Sequence, residues 1–467
     1  MGGIFGVVSQ EDCVMEVFYG TDYHSHLGTR RAGLSFYNAD GFTRSIHNIE
    51  NDYFRSKFEP DLKKLHGNKG IGVISDTDSQ PLIIVSHLGA FSIVTVGRIN
   101  NIEALTEKAL KTKLHFAENS GAGTSPTELV AMMICEEDSF ESGIESALSK
   151  IEGSCSLLLL TARGIFAARD RLGRTPLVVG KREGAFAVTS ETCAFPNLGF
   201  EVDRFLGPGE IVFLDADGCL QLLPPGEQMQ ICSFLWVYYG YPASEYEGIN
   251  VERVRNRCGA ALARSDDVPV DCVGGIPDSG IGHALGYTNQ RQIPYIRPFV
   301  KYTPTWPRSF MPQRQRQRNL VAKMKLIPVR SLIEGKRLLF CEDSIVRGTQ
   351  LQDNVQILYD CGALEVHMRP ACPTLIYPCE FLNFSTSRST LDLAGRKAIK
   401  ELEGRDDKNL DRYAQAGSEQ NRAMVERIRG RLRLSSLQYQ RLEDLVDAVG
   451  LPKEKLCTHC WDGTSYD

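Results

Sequence analysis

The chain has 467 residues, of which 53 are basic and 58 are acidic, so its formal net charge is −5. This balance provides no strong positive field, and we expect no nucleic-acid partner and no membrane-surface partner. The length and the 42% of hydrophobic residues predict more than one core, and we predict two domains, residues 1–230 and 231–467. Because no apolar run reaches the roughly 20 residues of a membrane span and the N-terminus lacks a signal-peptide pattern, we expect a cytoplasmic protein.

The first predicted element is a strand in the opening stretch GGIFGVVS. Its apolar, glycine-rich pattern is interpreted as an edge strand that carries the second residue of the chain into a pocket. That residue is Gly2, which has no side chain with which to do chemistry.

The rest of the first half predicts a β-rich, layered domain. Residues 155–190 contain four short apolar strands in a predicted meander, separated by turn clusters at 163–164, 171–173 and 182–184. Helical patterns interrupt the strands at 126–136 and 140–151. We therefore predict an α+β domain that ends near the stretch GPGEIVFLDADG.

In the second half, apolar strands alternate with helical patterns. The strand VDCVGGI precedes a turn and a helix from Gly280, and the strand KRLLFC precedes another turn and helix before EVHMRPAC. This alternation predicts an α/β domain with a parallel sheet and crossover helices. The charged, amphipathic tail over 418–455 has a helix stop signal at Gly450.

The most informative stretch is CEDSIVRGTQLQDNVQIL, in which a strand over 337–341 precedes two acidic residues, a turn and a helix. Backbone N–H groups of the turn can hold a phosphate against the helix N-terminus, and Gly348 permits close approach. Glu342 and Asp343 suit ribose hydroxyls or Mg²⁺. The alternative is a capped helix after an ordinary strand, with Asp343 and Ser344 as the cap residues.

The turn EDSIVRGT resembles the phosphoribosylpyrophosphate (PRPP) loop of type I phosphoribosyltransferases. Around it, GGIPDSGIGHALGY, KMKLIPVRSLIEGKR and RLEDLVDAVGLPKEKLCTHCWDG are similar in order and spacing to the glutamine PRPP amidotransferases, which act first in purine synthesis. The resemblance runs nearly end to end. It implies an N-terminal-nucleophile hydrolase-like αββα sandwich of the class II glutamine amidotransferase type, followed by a type I phosphoribosyltransferase domain.

The resemblance also implies the residues of the PRPP site. Glu342 and Asp343 would hold the ribose hydroxyls and Mg²⁺, although the family usually has two Asp at these positions. Ser279 would be a further Mg²⁺ ligand, beside the pyrophosphate. The remaining implied PRPP-binding residues are Asp278, Gly280, Ser344, Ile345, Val346, Arg347, Gly348 and Thr349.

A basic segment lies between these motifs, at 301–326. In the family this region is a loop that closes over PRPP. Lys301 and Arg308 are therefore candidate transferase residues that neutralise the leaving pyrophosphate, with Lys323 and Lys325 as further candidates. A solvated basic loop is the alternative.

The chain contains 14 cysteines, most of which we assign to packing. One subclass of the family carries a [4Fe–4S] cluster on four cysteines, and the matching positions here are Cys232, Cys379, Cys457 and Cys460. A zinc site and free thiols are the alternatives.

The glutaminase half of the family starts Cys-Gly-Ile-Phe-Gly, and the thiolate of that Cys attacks the glutamine amide. Gly2 stands in its place. Ser75 replaces an Arg that grips the glutamine carboxylate, Val96 replaces an oxyanion-hole Asn next to the retained Gly97, and Pro126 replaces an Asp that holds the amine. We therefore predict a glutaminase fold without glutaminase chemistry.

The first functional hypothesis is an amidophosphoribosyltransferase-like enzyme that makes 5-phosphoribosylamine from PRPP and ammonia and does not use glutamine. The alternative is an inactive paralogue that senses PRPP or purine nucleotides and pairs with an active amidotransferase. A third hypothesis is transfer to another amine, since Ile327 replaces a polar residue common in the family. The resemblance further implies a homo-oligomer, either a dimer or a tetramer.

Overall fold

The computed structural model describes residues 2–111, 115–117, 123–302, 326–382 and 389–466. Two antiparallel sheets dominate its first half. The larger sheet has seven strands in the order β11-β9-β10-β1-β4-β2-β3, and these strands are β1 (Gly3–Ser9), β2 (Arg31–Asn38), β3 (Gly41–Asn48), β4 (Lys69–Ser75), β9 (Val178–Arg182), β10 (Ala185–Thr189) and β11 (Glu201–Phe205). The second has six in the order β13-β12-β8-β7-β6-β5, comprising β5 (Leu82–Ser86), β6 (Gly89–Ile99), β7 (Gly153–Thr161), β8 (Ile165–Ala168), β12 (Ile211–Leu214) and β13 (Cys219–Leu223).

Helices cover the outer faces of these two sheets. They are α1 (Val14–Asp22), α2 (Phe54–Phe58), α3 (Ile102–Lys111), α4 (Pro126–Ile134), α5 (Phe140–Lys150) and α6 (Phe195–Leu198). One core joins α1 to the larger sheet, another joins α4 and α5 to the six-stranded sheet, and a third lies between the sheets. The predicted αββα sandwich is thereby confirmed.

Two predictions for this half are wrong. Strand β1 is not an edge strand, because it pairs with β10 on one side and β4 on the other. The four strands over 153–189 do not form one meander, since β7 and β8 belong to the six-stranded sheet and β9 and β10 to the larger one. Apolar strands that are buried on both faces give the same sequence pattern in either arrangement.

The second half contains a parallel sheet of four strands in the order β17-β20-β21-β22. Its strands are β17 (Cys272–Gly275), β20 (Arg337–Glu342), β21 (Glu365–Pro370) and β22 (Ser436–Leu437). Shorter pairs lie beside it: β14 (Ile231–Cys232) with β23 (Leu456–Cys457), β15 (Glu245–Tyr246) with β16 (Ile249–Asn250), and β18 (Phe299–Lys301) with β19 (Leu326–Pro328).

Helices pack on both faces of the parallel sheet, as predicted. They are α7 (Val251–Arg264), α8 (Gly280–Arg291), α9 (Arg330–Ile333), α10 (Thr349–Asp360), α11 (Ala394–Glu403), α12 (Leu410–Ala414), α13 (Glu419–Leu432), α14 (Leu442–Val449) and α15 (His459–Asp462). One core contains α7 and α8, and the other contains α10, α11 and α13. Helix α14 ends at the predicted stop, Gly450, whose φ is 89°. Within the described ranges, no helix is both long enough and apolar enough to cross a membrane.

Candidate active site

A cleft of about 1280 Å³ lies at the carboxyl ends of the parallel strands, where ligands bind in open α/β sheets. Glu342, Asp343 and the turn over 344–349 form part of its wall. Asp278, Ser279 and Lys301 line the same cleft. The structure therefore brings together most of the residues that the resemblance implies for PRPP, from three separate stretches of the chain.

Two glycines, one at the start of each of two helices, let the backbone adopt this arrangement at the end of β20. Gly348 precedes helix α10 and has φ 76°, a left-handed conformation that glycine adopts at little cost. Gly280 does not line the cleft. It is the first residue of helix α8. A Cβ at residue 280 would lie 2.4 Å from the carbonyl oxygen of Cys341, so only glycine lets this helix approach the end of β20.

The acidic pair is held by local hydrogen bonds. Asp343 is 5% exposed and accepts a hydrogen bond from the Ser344 hydroxyl at 2.5 Å. Glu342 is partly exposed and accepts one from the Asp343 amide at 3.2 Å. Burial and the neighbouring Asp343 charge raise the pKa of the Glu342 carboxyl well above its ordinary value. A cation at this position would therefore stabilise the ionised pair.

The basic groups near the pair are partly engaged within the chain. Lys301 forms an ion pair with Asp278, and Arg347 lies 3.5 Å from Asp392. The predicted candidates Arg308, Lys323 and Lys325 lie outside the described residues.

Metal binding by the acidic pair depends on which other ligands the described residues provide. Among the described residues, no three His, Cys, Asp or Glu side chains are arranged to hold one metal ion. Mg²⁺ commonly binds through one or two carboxylates together with waters and substrate phosphates, and two adjacent carboxylates at a phosphate-sized turn fit that mode.

The backbone around position 2 is closely packed. Gly2 is buried, and a Cβ there would lie 2.5 Å from the carbonyl oxygen of Ile74 and 3.1 Å from Cγ1 of Val96. The cavity that touches Gly2 has a volume of about 10 Å³, which is room for about one water molecule. A glutamine side chain does not fit in that space.

Buried polar side chains form a hydrogen-bond network beside positions 75, 96 and 126. The carboxylate of Asp78, 1% exposed, accepts hydrogen bonds from the Ser125 hydroxyl at 2.7 Å and from Gln80 Nε2 at 2.8 Å. Gln80 also accepts from the Thr95 amide at 2.7 Å and donates to the Ser75 hydroxyl at 3.4 Å. The polar groups beside positions 75, 96 and 126 are therefore hydrogen-bonded to one another.

Sequence reasoning missed this Asp78–Gln80 network. The polar run SDTDSQP directly after a buried strand was the available signal, because six polar residues in such a run need partners wherever they are buried. Cys13 offers no substitute thiol: its Sγ lies 3.4 Å from the carbonyl oxygen of Gly67, and burial raises its pKa well above the ordinary value.

The four matched cysteines lie together at the junction of the two halves. Strands β14 and β23 pair in parallel, which places Cys232 opposite Cys457. Cys379 and burial raise the pKa of Cys460, and burial together with Cys457 and Cys379 raises that of Cys232. The Cys460 thiol thus feels all three of the others, and each of the four cysteines is less than 10% exposed.

Comparison with known proteins places this site in a family context. Residues 68–197 match a family model described as a glutamine amidotransferase domain. The chain is 31% identical to an amidophosphoribosyltransferase of Methanocaldococcus jannaschii over 99% of this chain and 97% of the relative. It is 30% identical to the Bacillus subtilis amidophosphoribosyltransferase over 86% of this chain and 85% of that one.

Solved structures agree with these relatives. One is a glutamine PRPP amidotransferase from B. subtilis in complex with ADP and GMP, with a TM-score of 0.83, 27% identity and coverage of 99% of this chain and 97% of that chain. Another, described as the allosteric regulatory enzyme of purine biosynthesis, has a TM-score of 0.85, 27% identity and coverage of 99% and 96%. The chain belongs to the amidophosphoribosyltransferase family.

Proposed function

We propose that this amidophosphoribosyltransferase transfers the phosphoribosyl group of PRPP to ammonia, releases pyrophosphate and forms 5-phosphoribosylamine for purine biosynthesis without hydrolysing glutamine. One observation carries the proposal: the turn that follows Glu342 and Asp343 is complete, whereas position 2 has neither a nucleophile nor room for one. The two halves therefore differ in what they retain of the family's chemistry.

The transfer reaction needs positioning and charge neutralisation more than a protein nucleophile. In the proposal, the amides of residues 345–349 hold the 5′-phosphate, and Glu342 and Asp343 hold the ribose hydroxyls. Ser279 and the two carboxylates would bind Mg²⁺, which when bound neutralises charge on the pyrophosphate. Asp278 and Lys301 would face the pyrophosphate, and Arg308 is proposed to join them.

Ammonia would enter from solution or from a separate protein. Four features of the family's glutamine site are replaced, at Gly2, Ser75, Val96 and Pro126. Loss of a single oxyanion-hole donor typically lowers kcat about 100-fold to 1,000-fold, and here the nucleophile is absent as well. The Asp78–Gln80 network accounts for the polar groups that remain near these positions.

We also propose a [4Fe–4S] cluster on Cys232, Cys379, Cys457 and Cys460. The Cys460 thiol has the other three cysteines as its charged neighbours. Four neighbouring thiolates are the ligand set of a [4Fe–4S] cluster. Because β14 begins the second half and β23 lies near the end of the chain, the cluster's role would be structural.

Two further proposals concern partners. A relative is described in complex with ADP and GMP. We propose that purine nucleotides also bind the present chain, in the cleft that contains the phosphate turn. The chain is further proposed to assemble into a homo-oligomer, as a dimer or a tetramer.

The proposed reaction is tested by supplying each nitrogen donor separately. Protein purified anaerobically is given PRPP and Mg²⁺ with ammonium or with glutamine, and pyrophosphate release is measured. Release with ammonium and none with glutamine is expected. Turnover with glutamine would overturn the proposal, and tight PRPP binding without turnover on either donor would favour the sensing paralogue instead.

A further inference from the structure

A buried arginine of the first half reaches every segment that carries the four cysteines. Arg174 lies in the turn over 169–177 that crosses from the six-stranded sheet to the larger one, and its side chain is fully buried. The turn is fixed by Asp170, whose carboxylate accepts hydrogen bonds from the amides of Arg174 at 3.1 Å and Thr175 at 2.9 Å. The arginine is thereby held in place by its own half.

Arg174 contacts the first cysteine segment through its backbone. Its carbonyl oxygen accepts a hydrogen bond from the Cys232 amide at 3.3 Å, and its guanidinium donates to Gln230 Oε1 at 3.2 Å. Both contacts cross from the first half to the start of the second.

The guanidinium contacts the other two segments. Its Cζ lies 3.6 Å from the centre of the Phe381 ring, two residues after Cys379, and it donates to the Ser465 hydroxyl at 3.2 Å. The guanidinium also forms a hydrogen bond with the side chain of Cys457. A second arginine, Arg98 of β6, donates to the carbonyl oxygen of Cys379 at 3.2 Å.

We infer that Arg174 is a positioning residue of the cysteine site, by which the glutaminase-like half clamps the three segments that carry the four cysteines. The inference rests on the proposed cluster. A positive charge beside a cluster stabilises the more negative, reduced form of that cluster. It also gives the first half a role that requires no glutamine chemistry.

The test uses the full chain purified anaerobically, with Arg174→Gln, Arg174→Lys and, as the matched control, Arg163→Gln at an exposed turn of the same half. Readouts are iron and sulfide per chain, the rate of loss of cluster absorbance in air, and the reduction potential. Loss of contacts around metal ligands typically weakens binding about 10-fold to 100-fold. We therefore expect Arg174→Gln to lose its cluster at least several-fold faster and to have a lower potential.

Arg174→Lys keeps the charge and is expected to retain a potential close to that of the wild type. An Arg174→Gln variant with wild-type cluster content, air stability and potential would overturn the inference, as would a wild-type chain that contains no iron and sulfide. If the wild-type chain with its cluster does not consume PRPP with ammonium, the proposed reaction is overturned instead. The two failures are therefore distinguishable.

Discussion

The carbonyl oxygen of Ile74 lies 2.5 Å from the point where a Cβ of residue 2 would stand. This contact follows from the pairing of β1 with β4, in which Gly3 lies opposite Ile74. Backbone atoms of a central strand pair move less readily than the end of a flexible side chain. The sheet pairing, as well as the sequence, therefore supports the proposed absence of a nucleophile at position 2.

Replacing Gly2 by Cys is therefore expected to restore no glutaminase activity. The added atoms would overpack the strand pair and destabilise the fold by about 1–3 kcal/mol. Glutamate release from glutamine and the thermal unfolding temperature measure both effects. Gly218→Cys, at a site with no atom within 4 Å of the added Cβ, is the control and should unfold close to the wild-type temperature. Glutamate release by Gly2→Cys would contradict this explanation.

Asp343→Asn should lower PRPP consumption by roughly 100-fold or more, because the neutral amide no longer attracts the metal ion or positions the ribose. The rate of pyrophosphate release with ammonium is the measurement. Asp360→Asn, at the far end of helix α10, is the matched control and should leave the rate unchanged. Nearly wild-type turnover by Asp343→Asn would remove the acidic pair from the proposed site.

At this scale the sequence predicted the strand, turn and helix around residues 342–349 well and the inner contacts poorly. Glu342, Asp343 and Gly348 form one contiguous motif, so their placement follows from a strand, a turn and a helix. Arg174 and Asp78 have their hydrogen-bond partners on distant segments. In the sequence, a single Arg or Asp near a turn is indistinguishable from an ordinary turn residue. No local pattern identifies such partners.

Among the elements, the first turn of helix α4 and the residues after β4 are joined by the Asp78–Gln80 network. Asp78 accepts from the Thr127 amide at 3.1 Å and from the Ser125 hydroxyl, which in turn accepts from the Glu128 amide at 3.2 Å as the helix N-cap. The network therefore positions the helix end against the sheets. Its groups are buried, and they would be costly to leave without partners.

Asp78→Ala should destabilise the protein by about 3 kcal/mol, because it leaves several buried donors unsatisfied. Thermal unfolding is the measurement, and Asp40→Ala at an exposed turn is the control, expected to unfold close to the wild-type temperature. If Asp78→Ala unfolds at the same temperature as the control, the network does not stabilise the protein.

Element identity was more predictable than element pairing. Leu351, Val355 and Leu358 recur at helical spacing, and all three are buried on α10, as that pattern predicts. The position of β1 within its sheet was mispredicted because burial on both faces does not reveal which strands lie on either side. Strand order depends on long-range pairing, which a local period does not encode.

Over the whole molecule, buried polar contacts fasten the two halves together. Glu191 of the first half accepts hydrogen bonds from Tyr246 and, at 3.2 Å, from the Ser244 hydroxyl of the second, and it pairs with His26 at 3.0 Å. Arg169, fully buried, pairs with Glu247 at 2.8 Å. These contacts join the first half to the start of the second.

The Glu191 contacts predict a pH dependence. Burial raises the pKa of this carboxyl, but the charge of His26, its hydrogen bond and the contact with Tyr246 prevail, so the pKa falls from 4.5 to about 2. Because the folded-state pKa is depressed, the stabilisation is present above pH 4.5 and is lost as the pH falls towards about 2.

Glu191→Gln should therefore unfold at a lower temperature than the wild type at pH 7, and the difference should shrink as the pH is lowered through that window. Thermal unfolding over a pH series is the measurement, with Glu152→Gln at an exposed position as the control. A difference that is independent of pH would contradict the assigned contacts.

An isotope competition on the wild-type chain tests most directly whether the product nitrogen comes from ammonia and not from glutamine. The protein receives PRPP and Mg²⁺ with ¹⁵N-labelled ammonium and unlabelled glutamine together, and the nitrogen of the trapped amine product is analysed by mass spectrometry. We expect product nitrogen that comes entirely from ammonium. Product that carries unlabelled nitrogen from glutamine would contradict it.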